Sequence, residues 1–374
     1  MTQAQDRIST IQAIMILISY VGINDHVTVI PVLLRTAGRD AWISVLLAGI
    51  LIVICVPVLH TIMRRSGQVH ILAWVRQTAG PFLAGLLALV FICQMFVTAY
   101  VTIQDSTTWL YMMYLYLTPK TILTIIFCLI CLYQVRSGIR SIAIVNGLLL
   151  PFVIVFGFFV MSANIPNKNY ALLLPILENG INPVLHGFVP AGAGMFDIIL
   201  LLLFQQRLKR QVKKGWLFFL TLFTVMLMLG PLTGAIAEFG PYEGGELRYT
   251  ASEEWRIVSF SHNFEHVDFL SIYQWMVGSF IRASITIYLI PEILQIKTKK
   301  KRNLTLYLVM SLLLLLLLIP VEDEKFLSYV SDYFLPYTFW AAFAVLMILF
   351  AISFVKKKKG GESREPVQPE ARIG

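Results

Sequence analysis

The chain alternates long apolar blocks with short polar stretches. Each block runs for roughly 18 to 25 residues, which is the length a helix needs to cross about 30 Å of hydrocarbon at 1.5 Å per residue. The pattern predicts an all-α membrane protein with ten transmembrane helices. The predicted spans, one to ten, are 8–30, 41–62, 81–104, 120–136, 140–162, 187–206, 216–238, 267–293, 303–320 and 336–355.

Composition supports a membrane location. Of the 374 residues, 57% are hydrophobic and only 14% are charged, whereas a soluble domain carries about 25% charged residues. The first apolar block follows the polar stretch MTQAQDRIST without a small-residue cleavage site. We therefore expect span one to act as an uncleaved insertion signal.

The net charge of +9 is unevenly distributed. Lysine and arginine concentrate in alternate loops, and the positive-inside rule places those loops and both termini in the cytoplasm. The charge is thus explained by topology, and we predict no nucleic-acid partner. The basic segments are 64–76, 136–140, 207–214, 297–302 and 356–359.

Loop lengths divide the chain into two halves of five spans. We predict a single transmembrane domain over 1–358, with repeat one at about 8–162 and repeat two at about 187–355. Residues 359–374 are polar and proline-containing, which predicts a disordered cytoplasmic tail.

Spans one and six both carry glycine and polar residues at mid-span. Discontinuous helices at corresponding positions of two halves indicate an inverted-repeat transporter fold with a binding site at the membrane midplane. The alternative is that these glycines only permit close helix packing. The residues concerned are Gly22, Asn24, Asp25 and His26 in span one, and Gly192, Gly194 and Asp197 in span six.

Charged groups inside the membrane cost at least about 2.5 kcal/mol each, so each one requires an explanation. One interpretation is a polar cavity between spans one, three, six and eight that binds the carboxylate and ammonium groups of an amino acid. For Arg282 we favour a buried ion pair with Asp197 or Asp25, and for His26 a hydrogen-bonded core position. The candidate ligand-binding residues are Gly22, Ile23, Asn24, Asp25, His26, Gly192, Gly194, Phe196, Asp197 and Arg282.

No motif predicts catalysis. The chain has no His-Glu-x-x-His, Gly-x-Ser-x-Gly or P-loop string, so we expect a non-enzymatic protein without cofactor or metal. The string HNFEH leaves open a weak metal or enzyme site at His262, Glu265 and His266, although we favour an outer loop that leads into the start of span eight.

Four segments resemble the endospore germination permease family, which supplies the B subunit of spore nutrient germinant receptors. The resemblance covers about residues 7–355. This family belongs to the amino acid–polyamine–organocation superfamily. The segments are AGRDAWISVLLAG (37–49), FGPYEGGELRY (239–249), FEHVDFLSIYQWMVGSFIRASITIYL (264–289) and PVEDEKFLSYVSDYFLPY (320–337).

The resemblance implies a 5+5 inverted repeat like that of amino-acid permeases, with helices one and six broken mid-membrane. It implies a location in the spore inner membrane beside an A subunit and a lipoprotein C subunit. It also implies binding of a small nutrient germinant, commonly an amino acid. Asn24 and His26 replace a usual Gly-x-Gly pair, and Asp197 replaces a usual Glu. The shape and polarity of the site are therefore expected to differ.

A proton-coupled secondary transporter for an amino acid or similar solute is the main alternative function. In that case Asp25 and Asp197 would be the acids that carry the proton.

Overall fold

The computed structural model describes residues 7–258 and 267–355, and this part of the chain is helical. Its one extended pairing is an isolated parallel bridge between Ile8 and Leu208. Seven helical stretches in the described residues are long and apolar enough to cross a membrane. They are Thr10–Arg65, Pro81–Met113, Ile139–Ala163, Asn182–Arg207, Lys214–Phe239, Leu270–Ile293 and Asp323–Ile352.

The α-helices are numbered here in chain order, with two π-helical segments and one tight 3₁₀ turn between them that matter for the site. The helices are α1 Thr10–Ile23, α2 Ile30–Ala37, α3 Ala41–Arg65, α4 Ile71–Thr78, α5 Pro81–Met113, α6 Lys120–Arg136, α7 Ile139–Ala163, α8 Asn182–Met195, α9 Leu201–Phe204, α10 Lys214–Phe239, α11 Glu243–Glu246, α12 Thr250–Arg256, α13 Leu270–Ile293, α14 Lys299–Leu317, α15 Asp323–Tyr329 and α16 Leu335–Ile352. The π-helical segments are Asn24–Val29 and Val330–Phe334, and the 3₁₀ turn is Phe196–Leu200.

The first stretch begins with a capping box. The Ser9 hydroxyl accepts a hydrogen bond from the Gln12 amide at 3.2 Å, and the Gln12 side chain accepts one from the Ser9 amide at 2.9 Å. These bonds satisfy two backbone donors that would otherwise lack partners at the helix start. Gly38, with a φ of +54°, lies between α2 and α3, where few other residues adopt such a backbone angle.

Where breaks were predicted in spans one and six, the described chain changes helix type and stays helical. The backbone remains helical from α1 through Asn24–Val29 into α2, with wider i→i+5 turns in the middle. In span six it remains helical from α8 through the tight turn Phe196–Leu200 into α9. Neither place contains an unwound segment in the described chain.

Two stretches form the centre of the bundle. In Asn182–Arg207 and Leu270–Ile293, 89% of the most apolar window is buried, against 22% in Ile139–Ala163. α13 packs against α5, α1 and α7, while α8 packs against α3, α2 and α16. The central stretches are also the ones that carry Asp197 and Arg282, so those charges lie inside the protein and not against lipid.

The last helical stretch is longer than the sequence pattern predicts. Span ten was expected at 336–355, but the helical chain begins at Asp323 and continues through α15 and the second π-helical segment into α16. The apolar pattern missed this part because Asp323 and Glu324 are acidic. At a helix start such residues stabilise the free N–H groups of the first turn.

Candidate functional site

A polar crevice lies beside the π-helical segment of the first stretch. Its free volume is about 10 Å³, close to the roughly 10–15 Å³ that a single water molecule needs. A larger solute therefore fits only after the helices around the crevice move apart. The crevice is lined by Ile23, Asn24, Val27, Thr28, Val101, Thr102, Asp105, Ser106, Arg282 and Phe334.

Arg282 on α13 is the cationic group of this crevice. Its Nη1 donates to Asp197 Oδ2 at 2.8 Å and to the backbone carbonyl of Tyr20. The guanidinium carbon lies 4.1 Å from the centre of the Tyr20 ring. Nη2 is buried and has no hydrogen-bond partner among the described residues. The predicted ion pair between Arg282 and Asp197 is confirmed.

Neighbouring residues of the π-helical segment point in different directions. Asn24 lines the crevice, and its buried Nδ2 has no partner within the described chain. Asp25 lies instead against Gly194 on α8. His26 shares a hydrogen bond between Nδ1 and the Gly22 carbonyl at 2.8 Å, which confirms the prediction of a hydrogen-bonded core histidine.

The glycines of spans one and six lie at packing contacts. A Cβ at Gly192 would overlap the Phe339 ring, and one at Gly194 would overlap the Asp25 carboxylate. A Cβ at Gly22 would lie 3.3 Å from Leu227 Cδ2. The geometry therefore agrees with the packing alternative for these residues, and none of the three lines the crevice.

Phe196 borders a second cavity, separate from the crevice. That cavity is apolar, has a free volume of about 10 Å³ and lies between α3, the turn after α8 and α16. The Phe196 ring packs edge-on against Phe339 and Phe343, with centroid distances of 5.3 and 5.9 Å. Of the ten candidate residues, the crevice thus brings together Ile23, Asn24 and Arg282.

Sequence reasoning underestimated α5. Thr102, Asp105 and Ser106 lie on one face of this helix and are half of the polar residues that line the crevice. Their spacing of three and four residues was the available signal, because such residues share a helical face. Ser106 also hydrogen-bonds Ser279 of α13, which joins the two helices beside the crevice.

Arg248 is bonded to Asp105, one of the residues that line the crevice. It lies between α11 and α12, donates from Nη2 to Asp105 at 2.7 Å and from Nε to Asp323 at 2.8 Å. Its guanidinium carbon is also 4.1 Å from the centre of the Tyr249 ring. Because Asp105 lines the crevice and Asp323 begins α15, one side chain holds α5 and α15 together.

Glu292 joins several segments near the other end of α13. It accepts from Arg207 Nε at 3.1 Å and Nη2 at 2.8 Å, and it lies 3.5 Å from Arg302. His70 hydrogen-bonds the Glu292 carbonyl at 2.9 Å, and burial lowers the pKa of His70. Charged contacts therefore join helices at both ends of the bundle.

No group of three or more histidine, cysteine, aspartate or glutamate side chains in the described ranges is arranged to hold a metal. The predicted weak site at His262, Glu265 and His266 lies outside the described residues. Cys55, Cys93, Cys128 and Cys131 are free thiols.

Comparison with known proteins gives a consistent family assignment. The family described as spore germination protein matches residues 7–326. Spore germination protein XB of Bacillus anthracis is 36% identical over 348 residues, covering 93% of this chain and 98% of that protein. Spore germination protein GerQB of Bacillus cereus is 25% identical over 47% of this chain and 48% of its own length.

Two solved structures share the fold. MhsT in complex with L-phenylalanine superimposes with a TM-score of 0.65 at 10% identity, covering 93% of this chain and 99% of that one. Mhp1 is a nucleobase-cation-symport-1 family transporter whose structure was solved in a closed conformation with bromovinylhydantoin bound. It superimposes with a TM-score of 0.57 at 13% identity, covering 92% of this chain and 78% of that one. At these identities the likeness concerns the fold alone.

Proposed function

Because the chain belongs to the spore germination protein family, we propose that it is the B subunit of a spore germinant receptor that senses a small nutrient. The crevice beside Asn24 is the binding site, and the protein acts without catalysis or cofactor. The observation that carries this proposal concerns Arg282, whose buried Nη2 has no hydrogen-bond partner among residues 7–258 and 267–355 and which lines the same small space as Asp105.

The two charges favour a zwitterionic ligand such as an amino acid. Arg282 Nη2 is a donor suited to a carboxylate, since charge-assisted bonds to arginine are about twice as strong as neutral ones. Asp105 is an acceptor suited to an ammonium group. Asn24, Thr28 and Thr102 supply further polar contacts around the ligand.

Binding is coupled to the closure of the bundle through Asp105. A ligand ammonium that takes this carboxylate competes with Arg248, which holds α5 to α15. The ligand therefore favours an arrangement in which that bridge is released. Such a difference in affinity between two arrangements is what allows binding to act as a signal.

The topology belongs to the same proposal. The seven candidate stretches become ten spans when Thr10–Arg65 is taken as two and α6 and α14 are added. The Arg207 end and both termini lie in the cytoplasm, since Lys and Arg concentrate there. The spans form a 5+5 inverted repeat in the spore inner membrane, in contact with A and C subunits, and the helix-type changes in spans one and six act as hinges.

A thermal-stability screen tests the binding site. An equimolar mixture of the protein amino acids should raise the melting temperature of the purified protein, because a ligand that binds the folded state stabilises it. Thr102→Val, in the crevice, should reduce that shift. Ile198→Val, at the apolar cavity, serves as the matched control and should leave it unchanged. A shift that survives Thr102→Val, Asn24→Ala and Ser106→Ala alike would place binding elsewhere.

Secondary transport is the alternative function, and the shared fold of MhsT and Mhp1 favours it. In that reading Asp25 and Asp197 exchange a proton during transport. Proteoliposomes containing this chain alone distinguish the two functions under an imposed proton gradient. Binding without accumulation of labelled amino acids agrees with a receptor, whereas accumulation against a gradient identifies a transporter.

A further inference from the structure

Asp25 is a buried carboxyl that the proposed binding site does not use. Its exposed fraction is 0%, and both Oδ1 and Oδ2 lack a hydrogen-bond partner among the described residues. It does not line the crevice. A group of this kind is unusual, because the large majority of buried side-chain polar atoms are hydrogen-bonded.

The surroundings of Asp25 are poorly suited to a negative charge. Its Oδ1 occupies the space that a side chain at Gly194 would fill, and the Met228 methyl group lies 3.1 Å from the same point. The neighbouring His26 does not compensate such a charge, because its Nδ1 is directed to the Gly22 carbonyl.

Only one cation acts on Asp25 within the described chain, and another acid already holds it. The charged groups on the surrounding elements that affect Asp25 are Asp197 and Arg282. Arg282 directs Nη1 to Asp197 and to the Tyr20 carbonyl. Glu238 on α10 and Glu254 on α12 lie instead near Lys168. Two carboxyl groups therefore lie near one guanidinium, and the ion pair with Asp197 already balances the positive charge of Arg282.

From this geometry we propose that Asp25 is a proton-binding site, occupied in the closed bundle. An ionised carboxylate without partners costs several kcal/mol in a buried site, whereas a neutral carboxylic acid avoids that penalty. When α8 moves away from the first stretch, water reaches the carboxyl. The O–H bond then breaks, its electron pair stays on the carboxylate, and the proton passes to water. Closure is thereby linked to uptake of one proton, independently of which nutrient binds.

Infrared spectroscopy of the purified protein in lipid nanodiscs tests this directly. At neutral pH the unmodified protein should show a C=O stretching band of a buried carboxylic acid that shifts when aspartate is labelled with ¹³C. Asp25→Asn, which has nearly the same shape as the protonated acid, should abolish the band. Asp40→Asn is the matched control, because Asp40 is also buried but accepts from the Leu177 amide at 2.9 Å; it should leave the band unchanged.

Two results would overturn the assignment. One is the absence of a labelled carboxylic acid band at neutral pH in the unmodified protein, a measurement that does not depend on any variant folding. The other is a band that Asp25→Asn leaves intact. Exchange of sodium for N-methylglucamine should not alter the melting temperature of the unmodified protein; a sodium-dependent rise lost in Asp25→Asn would show a metal cation in place of the proton.

Discussion

Three ionisable side chains are buried together in the centre of the bundle. Arg282 joins α13 to Asp197 after α8 and to the Tyr20 carbonyl on α1, while Asp25 lies opposite on the π-helical segment. The ion pair fixes the relative position of the two central stretches. The second guanidinium nitrogen, Nη2, has no partner in the described chain, and Arg282 lines the crevice. One residue thus serves both packing and recognition.

Removal of either partner of this pair should be costly. Arg282→Gln should lower the free energy of unfolding by about 3–5 kcal/mol, because it leaves Asp197 charged and unpaired. The double variant Arg282→Gln/Asp197→Asn should recover most of that loss. Chemical unfolding of the purified proteins gives the four values of the cycle. Losses that simply add would mean that the two side chains do not depend on each other.

The cluster of Lys168, Glu238 and Glu254 should make the stability of the protein depend on pH. Lys168 Nζ lies 3.3 Å from Glu238 Oε1, and the Glu254 carboxyl lies near the same glycine, Gly234. Burial, and then the neighbouring Glu238 carboxylate, raise the pKa of Glu254 well above its ordinary value of 4.5. The folded protein therefore holds this proton more tightly than the unfolded chain does.

The sign of the effect follows from that difference. Stability should fall as the pH rises from 4.5 through the raised pKa of the folded state, since the unfolded chain loses its proton first. Glu254→Gln should flatten this fall in melting temperature. Glu253→Gln is the control, because Glu253 pairs with Arg256 at 3.0 Å. An equally steep fall in Glu254→Gln would exclude Glu254 as its origin.

At the scale of elements, spans one and six meet through small residues. Asp25 on the π-helical segment fits against Gly194, and Phe339 on α16 fits against Gly192. These contacts bring the first stretch, α8 and α16 close together. The glycines thus set the distance between helices, as small residues commonly do in membrane proteins.

Alanine at these positions should destabilise the bundle. Gly192→Ala forces the Phe339 ring aside, at a cost of about 1–3 kcal/mol typical of overpacking. Gly230→Ala in α10 is the control, because a Cβ there meets nothing within 4 Å; it should be neutral or stabilising by up to about 1 kcal/mol. Melting temperatures of the two variants compare them. Equal effects would contradict the packing role of Gly192.

The helices were largely predictable from the sequence, but their partners were not. The apolar block 267–293 closely matches α13, because each span must satisfy its backbone hydrogen bonds within one helix. The role of Gly192 depends on Phe339, a residue far along the chain, and no local pattern reveals such a contact. Asp105 directly follows the predicted span three, yet its position at the crevice depends on α13 and on the π-helical segment.

Two charged networks join helices at the two ends of the bundle. Arg248 connects α5 and α15 at one end, and Glu292 pairs with Arg207 and Arg302 at the other. Because the crevice has room for about one water molecule, we expect a larger ligand to enter after one of these networks has opened. The Arg248 bridge is the more direct barrier, since Asp105 belongs both to it and to the crevice.

Loss of Arg248 should favour the open arrangement. Hydrogen bonds to charged groups contribute about 1.5–3 kcal/mol each, and about 1.4 kcal/mol corresponds to a tenfold change in population. A thiol at Thr28→Cys, in a Cys93→Ser background, should react with a water-soluble thiol reagent at least about tenfold faster in Arg248→Gln. Arg256→Gln, which affects only a surface pair, should not change the rate. An unchanged rate in Arg248→Gln would show that entry lies elsewhere.

Protection of the same thiol tests the central claim most directly. With Arg248 intact, the amino-acid mixture should slow the modification of Thr28→Cys in proportion to the rise in melting temperature that it causes. The rate of modification of Ile198→Cys, in the apolar cavity, should not change. Stabilisation by the mixture without protection of Thr28→Cys would contradict the assignment of the crevice as the nutrient site.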